Sequence, residues 1–235
     1  MFALQQRAIE HGDLGWEFEL SGDQHGHRHI VEAVREARPD DAILSEEGSD
    51  DRSRVHSKRA WIIDPVDGSS GFGAGNQEWA VHVALSVNGV ATVGAVAVPG
   101  LSMVGSTAVP PSISDSPDRA PVVVTGRSRG WQEGRRIASA LGGELLVCSS
   151  AGVKAMMVAT GVADVYVHDA PLYEWDVCAP AVVAQAAGLH VSDCAGDELV
   201  FNKINPVVPG LLISRAELVQ EVTEILLRHA GDHRR

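Results

Sequence analysis

The chain carries only three cysteines in 235 residues, Cys148, Cys178 and Cys194, and no two of them form a Cys-x-x-Cys pair. That spacing argues against a disulfide framework and against a cysteine zinc site, and leaves reduced, buried thiols as the expectation. Clustered basic residues are also missing: 19 Lys+Arg stand against 31 Asp+Glu, a formal net charge of −12. A nucleic-acid polymer is therefore not expected as a partner. A small anion stays compatible with this charge, because bound metal ions reverse the potential locally. No stretch reaches the ~18 apolar residues that a membrane span requires. The opening residues Met1-Phe2-Ala3-Leu4 have no basic region ahead of an apolar run. The expectation is a cytoplasmic protein with no membrane partner. With 45% hydrophobic residues the chain can bury a full core, as one larger domain or two small layered ones.

What is present is organised around Trp61-Ile62-Ile63-Asp64-Pro65-Val66-Asp67-Gly68-Ser69-Ser70. An aromatic and two β-branched residues read as the end of a buried strand that runs into two carboxylates at a turn. Pro65 cannot donate to a ladder, and Gly68 lets a ligand approach the backbone closely. Asp64 and Asp67 can converge on one point across that turn. Two like charges so close are costly unless a cation lies between them, so the spacing points to a divalent metal.

The same logic recurs twice. Ala42-Ile43-Leu44-Ser45 is a short apolar strand that ends in Glu46-Glu47, and Tyr173-Glu174-Trp175-Asp176 stands directly before a helix expected over 177–187. Asp176 also suits the helix cap, and one carboxylate oxygen can serve the helix while the other serves a cation. Glu46, Asp64, Asp67 and Asp176 together supply four carboxylates from three element ends. All-oxygen ligation of this kind suits Mg²⁺ or Mn²⁺. Two such ions ~3.5–4 Å apart clamp an in-line displacement, so the reaction implied is phosphate ester hydrolysis.

Around these motifs, residues 1–20 read as weakly helical with breaks at Gly12 and Gly15. Residues 22–29 read as a polar turn whose His25, His27 and His29 are given no metal role, followed by a helix over 28–37. Residues 71–76 read as a flexible loop. Segments 79–87 and 90–98, joined by Asn88-Gly89, form an antiparallel hairpin. Residues 99–120 are a loose connection. Beyond it, strands at 122–124, 144–148, 162–167, 191–200 and 211–213 alternate with helices at 130–141, 154–160 and 177–187, before a final helix over 215–229. The expected organisation is an α+β half, 1–110, carrying the Glu46 and Asp64/Asp67 motifs, and an α/β half, 121–235, carrying Asp176.

Ser45-Glu46-Glu47-Gly48, Trp61 to Ser69 and Glu174-Trp175-Asp176-Val177-Cys178-Ala179-Pro180 resemble the three signatures of the inositol monophosphatase superfamily of Mg²⁺-dependent, lithium-sensitive phosphatases. With Glu78-Trp79-Ala80-Val81-His82 and Ser150-Ala151-Gly152-Val153-Lys154-Ala155-Met156, the chain is most similar to the bacterial CysQ-type 3'(2'),5'-bisphosphate nucleotidases. The resemblance runs from about residue 22 to the final helix. It implies the five-layer αβαβα sandwich of the inositol monophosphatase and fructose-1,6-bisphosphatase type. It further implies two or three Mg²⁺ per site, with Mn²⁺ as a substitute and inhibition by Li⁺. By the resemblance, Glu46, Asp64, the Val66 carbonyl, Asp67 and Asp176 hold metal, and Glu46 with Ser69 orients and deprotonates the attacking water. Substrate contacts fall to Glu46, Val66, Asp67, Gly68, Ser69, Ser150, Ala151, Gly152, Asp169 and Asp176. The implied substrate is 3'-phosphoadenosine 5'-phosphate, in sulfur assimilation. Inositol 1-phosphate or a sugar bisphosphate is the alternative, and a non-catalytic nucleotide or metal sensor the alternative from another class. A homodimer is the default assembly.

Overall fold

The computed structural model describes residues 1–113, 119–127 and 130–230. Helices α1 (Phe2–His11) and α2 (Trp16–Ala37) come first, followed by strands β1 (Ala42–Ser45) and β2 (Arg59–Asp67) and the short helix α3 (Ser69–Gly73). Strands β3 (Ala80–Val87), β4 (Val90–Val98) and β5 (Met103–Ser106) complete a five-stranded sheet ordered β1-β2-β3-β4-β5. Only the β1–β2 pair within it is parallel. The second half runs β6 (Val122–Thr125), α4 (Trp131–Ala140), β7 (Glu144–Val147), α5 (Ala151–Ala159), β8 (Val165–His168), β9 (Leu172–Tyr173) and α6 (Glu174–Ala186). It ends with β10 (His190–Ser192), β11 (Val207–Val208), β12 (Leu211–Ser214) and α7 (Val219–Ala230). Its main sheet is ordered β10-β12-β8-β6-β7, and β9 pairs with β11 as a small ribbon.

Helix α2 covers one face of the first sheet. Helices α5 and α6 fill the space between the two sheets, and α4 and α7 cover the outer face of the second. The layers are therefore αβαβα, with both sheets draining their apolar side chains into one central helical layer. The largest cluster joins Leu44, Ile62 and Val96 from the first sheet to Val124, Tyr166 and Ile213 from the second, through Met156, Val177 and Val183 of the central helices. A second cluster, including Val123, Ile137, Leu212 and Leu226, seats α4 and α7.

Several local expectations are corrected. The break at Gly12–Gly15 is present, but α2 begins at Trp16, so residues 22–29 are helix and not a polar turn. The glycines that lower the helical propensity of this segment are there for packing. A Cβ on Gly22 would lie 2.3 Å from the Phe72 ring, and one on Gly26 would lie 3.3 Å from the Pro65 carbonyl oxygen. Residues 71–76 are not a flexible loop at their start, because Phe72 stacks on Phe18 at 4.8 Å and meets Trp79 edge-on at 5.0 Å, which fixes α3. The segment 99–120 contains edge strand β5, paired with β4 from Val98↔Met103 to Ala95↔Ser106, while residues 114–118 lie outside those described. Strand 191–200 shrinks to β10. Helices expected at 154 and 177 start three residues earlier, at Ala151 and Glu174. Of the three cysteines, Cys148 and Cys178 are buried and Cys194 is only partly so; all three are free.

Candidate metal centre and active site

Strand β2 carries Asp64 and Asp67 at its C-terminal end, and the β2–β3 register slips between them. Pro65 has no N–H to give, and the Val66 N–H turns back to Asp64 Oδ1 at 3.0 Å. Gly68 then takes the left-handed conformation, φ +86°, with no room for a Cβ, which would sit 2.7 Å from the Glu78 carbonyl oxygen. The first turn of α6 brings Asp176 from the other half, where one of its oxygens accepts the Tyr173 N–H at 3.1 Å. Because α6 begins at Glu174, Asp176 is its third residue and not the cap itself, leaving its second oxygen for other use. One oxygen each of Asp64, Asp67 and Asp176 lie within 4.8 Å of one another. Glu46, on the loop after β1, reaches the same group by a hydrogen-bond contact with Asp64.

The electrostatics are those of a site that wants a cation. Burial, followed by the charges of Asp67, Glu46 and Asp176, pushes Asp64 well above the usual carboxylate range. Burial and the Asp67 charge push Asp176 up to about 7. Burial also raises Glu46, against the hydrogen bond from Asp64. Asp67 is the exception: burial works to raise it, but His82, Lys154 and Ser150 hold it down to about 2. All the donors are oxygens and at least three are carboxylates, a set matched to Mg²⁺ or Mn²⁺ and not to soft metals. The residues present fit a hard divalent ion.

Asp67 is held by the N-terminus of α5. The Ala151 and Gly152 N–H groups donate to its two oxygens at 3.1 and 2.7 Å, the Ser150 hydroxyl donates to Oδ2, and His82 Nε2 lies 3.3 Å away. His82 is itself fixed by its other nitrogen, 3.0 Å from the Trp175 carbonyl oxygen. Ser150, Ala151 and Gly152, expected as substrate contacts, thus spend these groups on a carboxylate. Gly152 is required for that approach, since a Cβ there would meet His82 Nε2 at 2.1 Å and the Ala80 Cβ at 2.8 Å, both fully buried. Gly152→Ala is expected to destabilise the protein by about 1–3 kcal/mol through overpacking, read as a lower urea midpoint.

Ser69 opens α3 with its hydroxyl donated to Glu19 Oε1 on α2 at 3.1 Å, and the Ser70 hydroxyl joins the same oxygen at 3.2 Å. The Ser69 oxygen is then free to accept a hydrogen bond, while its proton goes to Glu19 and not to Glu46. One helical turn beyond Glu19, Asp23 is buried with Oδ1 unpartnered among the described residues. Burial, then Glu47, Glu46 and Glu19, raise it to about 7. Asp169 is exposed and does not line the cavity beside the acid cluster. That cavity, about 180 Å³, runs from Asp67 and Asp176 to Arg127, Lys154 and Tyr166.

The sequence reading gives Asp23, His82 and Lys154 no role, although His82 and Lys154 stand in motifs that carry the resemblance. Lys154 did leave a signal, as the only charge in the apolar run Ala151–Ala159. Its ammonium is buried and donates to the Cys148, Ser149 and Ser150 carbonyl oxygens at 3.1, 2.9 and 2.8 Å.

The raised acids set the pH dependence of the metal-free protein. Asp23 and Asp176, both near 7 when folded against about 3.9 for a free Asp, take up protons in the folded state first, so stability rises as pH falls through 7. Asp67, held near 2, contributes nothing in that window. The melting temperature without metal is expected to increase from pH 8 to pH 6. With saturating Mg²⁺ the increase should shrink, because the cation then takes the place of the protons on its ligands and the unfolded carboxylates do not titrate in that interval. Thermal scans at both pH values check this.

Comparison with known proteins gives a consistent picture. The model of the inositol monophosphatase family matches residues 21–227. The chain is 38% identical over 238 residues to a Mycobacterium bovis 3'-phosphoadenosine 5'-phosphate phosphatase, covering 97% of this chain and 88% of that one. It is 31% identical over 206 residues to the Escherichia coli 3'(2'),5'-bisphosphate nucleotidase CysQ, covering 83% and 84%. Among solved structures, CysQ from Bacteroides thetaiotaomicron superposes with a TM-score of 0.70 at 26% identity, over 82% of this chain and 83% of that one.

Proposed function

This chain belongs to the inositol monophosphatase family, and from that premise we propose that it is a Mg²⁺-dependent phosphatase removing the 3'-phosphate of 3'-phosphoadenosine 5'-phosphate. The observation that carries the reading is the convergence of Asp64, Asp67 and Asp176 within 4.8 Å of one another beside an open cavity. The 38% identity to a relative named for that substrate supports the choice of ester.

In this reading Asp67 and Asp176 would hold one cation, Glu46 and the Val66 carbonyl would hold a second, and Asp64 would contribute to both. Mg²⁺ bound there supplies charge neutralisation of the phosphoryl oxygens and an acidified water at neutral pH. Mn²⁺ substitutes and Li⁺ inhibits. The protein's own groups do the rest. Glu46, raised by burial, accepts the proton of the attacking water. Ser69, with its proton engaged by Glu19, accepts from that water and orients it in line. The Gly68 and Ser69 N–H groups face the phosphate. His82, Lys154 and the start of α5 keep Asp67 ionised and aimed, so the ligand geometry exists before substrate arrives. No helix among the described residues is long and apolar enough to cross a membrane. The reading places the enzyme in the cytoplasm, in sulfur assimilation, without nucleic-acid or membrane partners and as a two-fold dimer; its three free cysteines support a reducing compartment.

The test is phosphate release with Mg²⁺ over a panel of esters. Hydrolysis of the 3',5'-bisphosphate nucleotide in preference to inositol 1-phosphate is expected. Release from inositol phosphate alone would reassign the substrate, and tight nucleotide binding without turnover would make the chain a sensor.

A further inference from the structure

The cavity next to the acid cluster has donors as well as acids, and they are unequally committed. Lys154 is 2% exposed, and its ammonium is already shared among three backbone carbonyls. Arg127, from the loop after β6, is different. Its Nη2 alone is engaged, 2.9 and 3.0 Å from the two oxygens of Glu78. Nε and Nη1 have no partner among the described residues, so three of its five N–H donors remain for a ligand. Glu78 is anchored in turn by the Ser149 hydroxyl at 3.1 Å, which sets the guanidinium at the cavity wall and leaves its outer edge in solvent. Burial, opposed by Arg127 and Ser149, leaves the Glu78 carboxyl below its ordinary value, so the strut is charged at neutral pH. The Tyr166 hydroxyl lines the same cavity, fully buried and without a partner among the described residues, which marks the space as one completed by a polar ligand.

A bisphosphate ester brings two phosphates to such a site. The reacting one is met at the carboxylate cluster. The other carries about −1.5 to −2 charges at pH 7 and must find a cation locally, because the chain as a whole is at −12 and offers no diffuse attraction. We propose that Arg127, oriented by Glu78, binds the non-reacting phosphate and gives the enzyme its preference for bisphosphate over monophosphate esters. A planar fork with two free nitrogens matches a phosphate, whereas the buried Lys154 acts as a fixed point charge. The cavity of about 180 Å³ is smaller than the ~300 Å³ and upward of pockets that enclose a whole drug-sized ligand. It therefore takes the sugar and its phosphates and leaves a base outside.

The proposal rests on the nucleotidase reading above, and the experiment separates the two. Adenosine 3',5'-bisphosphate and adenosine 3'-monophosphate present the same scissile ester with and without the second phosphate. Their kcat/KM ratio is measured on wild type, Arg127→Ala and Arg127→Lys with saturating Mg²⁺. Both substrates are assayed on one preparation, so the ratio does not depend on how much of a variant is folded. Arg127→Ala is expected to reduce the ratio about 10- to 100-fold, chiefly through KM for the bisphosphate, with Arg127→Lys between it and wild type. An unchanged ratio in Arg127→Ala, including one produced by equal losses on both substrates, overturns the role of Arg127 while leaving the nucleotidase reading intact. A wild-type enzyme that shows no preference for the bisphosphate overturns both.

Discussion

Asp64→Asn is expected to lower phosphate ester turnover by about a thousand-fold while leaving the metal-free protein folded and more heat-resistant than wild type. The two halves of that result have one cause. Asp64 is 1% exposed, and burial with the charges of Asp67, Glu46 and Asp176 makes its ionised form costly. Asparagine has the same shape, retains an oxygen for the Val66 N–H, and removes one of several mutually repelling charges. Stability without metal therefore rises. The same change removes the carboxylate that the proposal gives to both cations. Loss of transition-state charge stabilisation by several kcal/mol corresponds to about three powers of ten. Steady-state assays across a Mg²⁺ titration, paired with thermal melts in chelator, read both effects. Turnover within tenfold of wild type at any Mg²⁺ concentration would remove Asp64 from the mechanism.

Glu46→Gln is the second large effect, a fall in kcat of about 10²- to 10⁴-fold with the fold retained. Glu46 sits on the loop after β1, and the backbone there is fixed by its N–H, 3.2 Å from the Ile63 carbonyl oxygen, which the substitution leaves in place. Glutamine keeps the volume and cannot accept a proton from water. The acid limb of the pH–rate profile should disappear with the activity. Unchanged hydrolysis by this variant would refute the assignment of Glu46 as the proton acceptor, whatever the metal ligation.

The contrast between these two residues and those the sequence did not disclose is instructive. Asp64 and Asp67 could be read because an apolar strand that stops at Asp-Pro-Val-Asp-Gly has few other uses, and Glu46 because β1 repeats the pattern. The β3–β4 hairpin was legible from Asn88-Gly89 between alternating strands, and the register follows it. The first half of helix α2 was not legible, since Gly22 and Gly26 lower its propensity for reasons that only their contacts with Phe72 and Pro65 supply, whereas its second half follows the apolar pattern over 28–37. The early starts of α5 and α6 were missed for a related reason. Ala151 and Glu174 are helical because the Asp67 carboxylate accepts the Ala151 N–H from outside the local sequence and the Asp176 carboxylate accepts the Tyr173 N–H across one turn. His82, Lys154 and Asp23 act through space on a carboxylate cluster assembled from distant segments. A linear reading shows a histidine in a strand, a lysine in an apolar helix and an aspartate among glycines. Nothing local in those patterns indicates that they face acids.

The central claim is that Asp64, Asp67 and Asp176 hold a divalent cation at the place where a phosphate ester is cleaved. The most direct measurement is anomalous diffraction from crystals soaked with Mn²⁺ and inorganic phosphate. The account predicts strong anomalous peaks about 2 Å from oxygens of these three side chains, with phosphate oxygens completing the shell. Phosphate seated elsewhere, and no anomalous peak among the three carboxylates at a Mn²⁺ concentration that supports turnover, would contradict it.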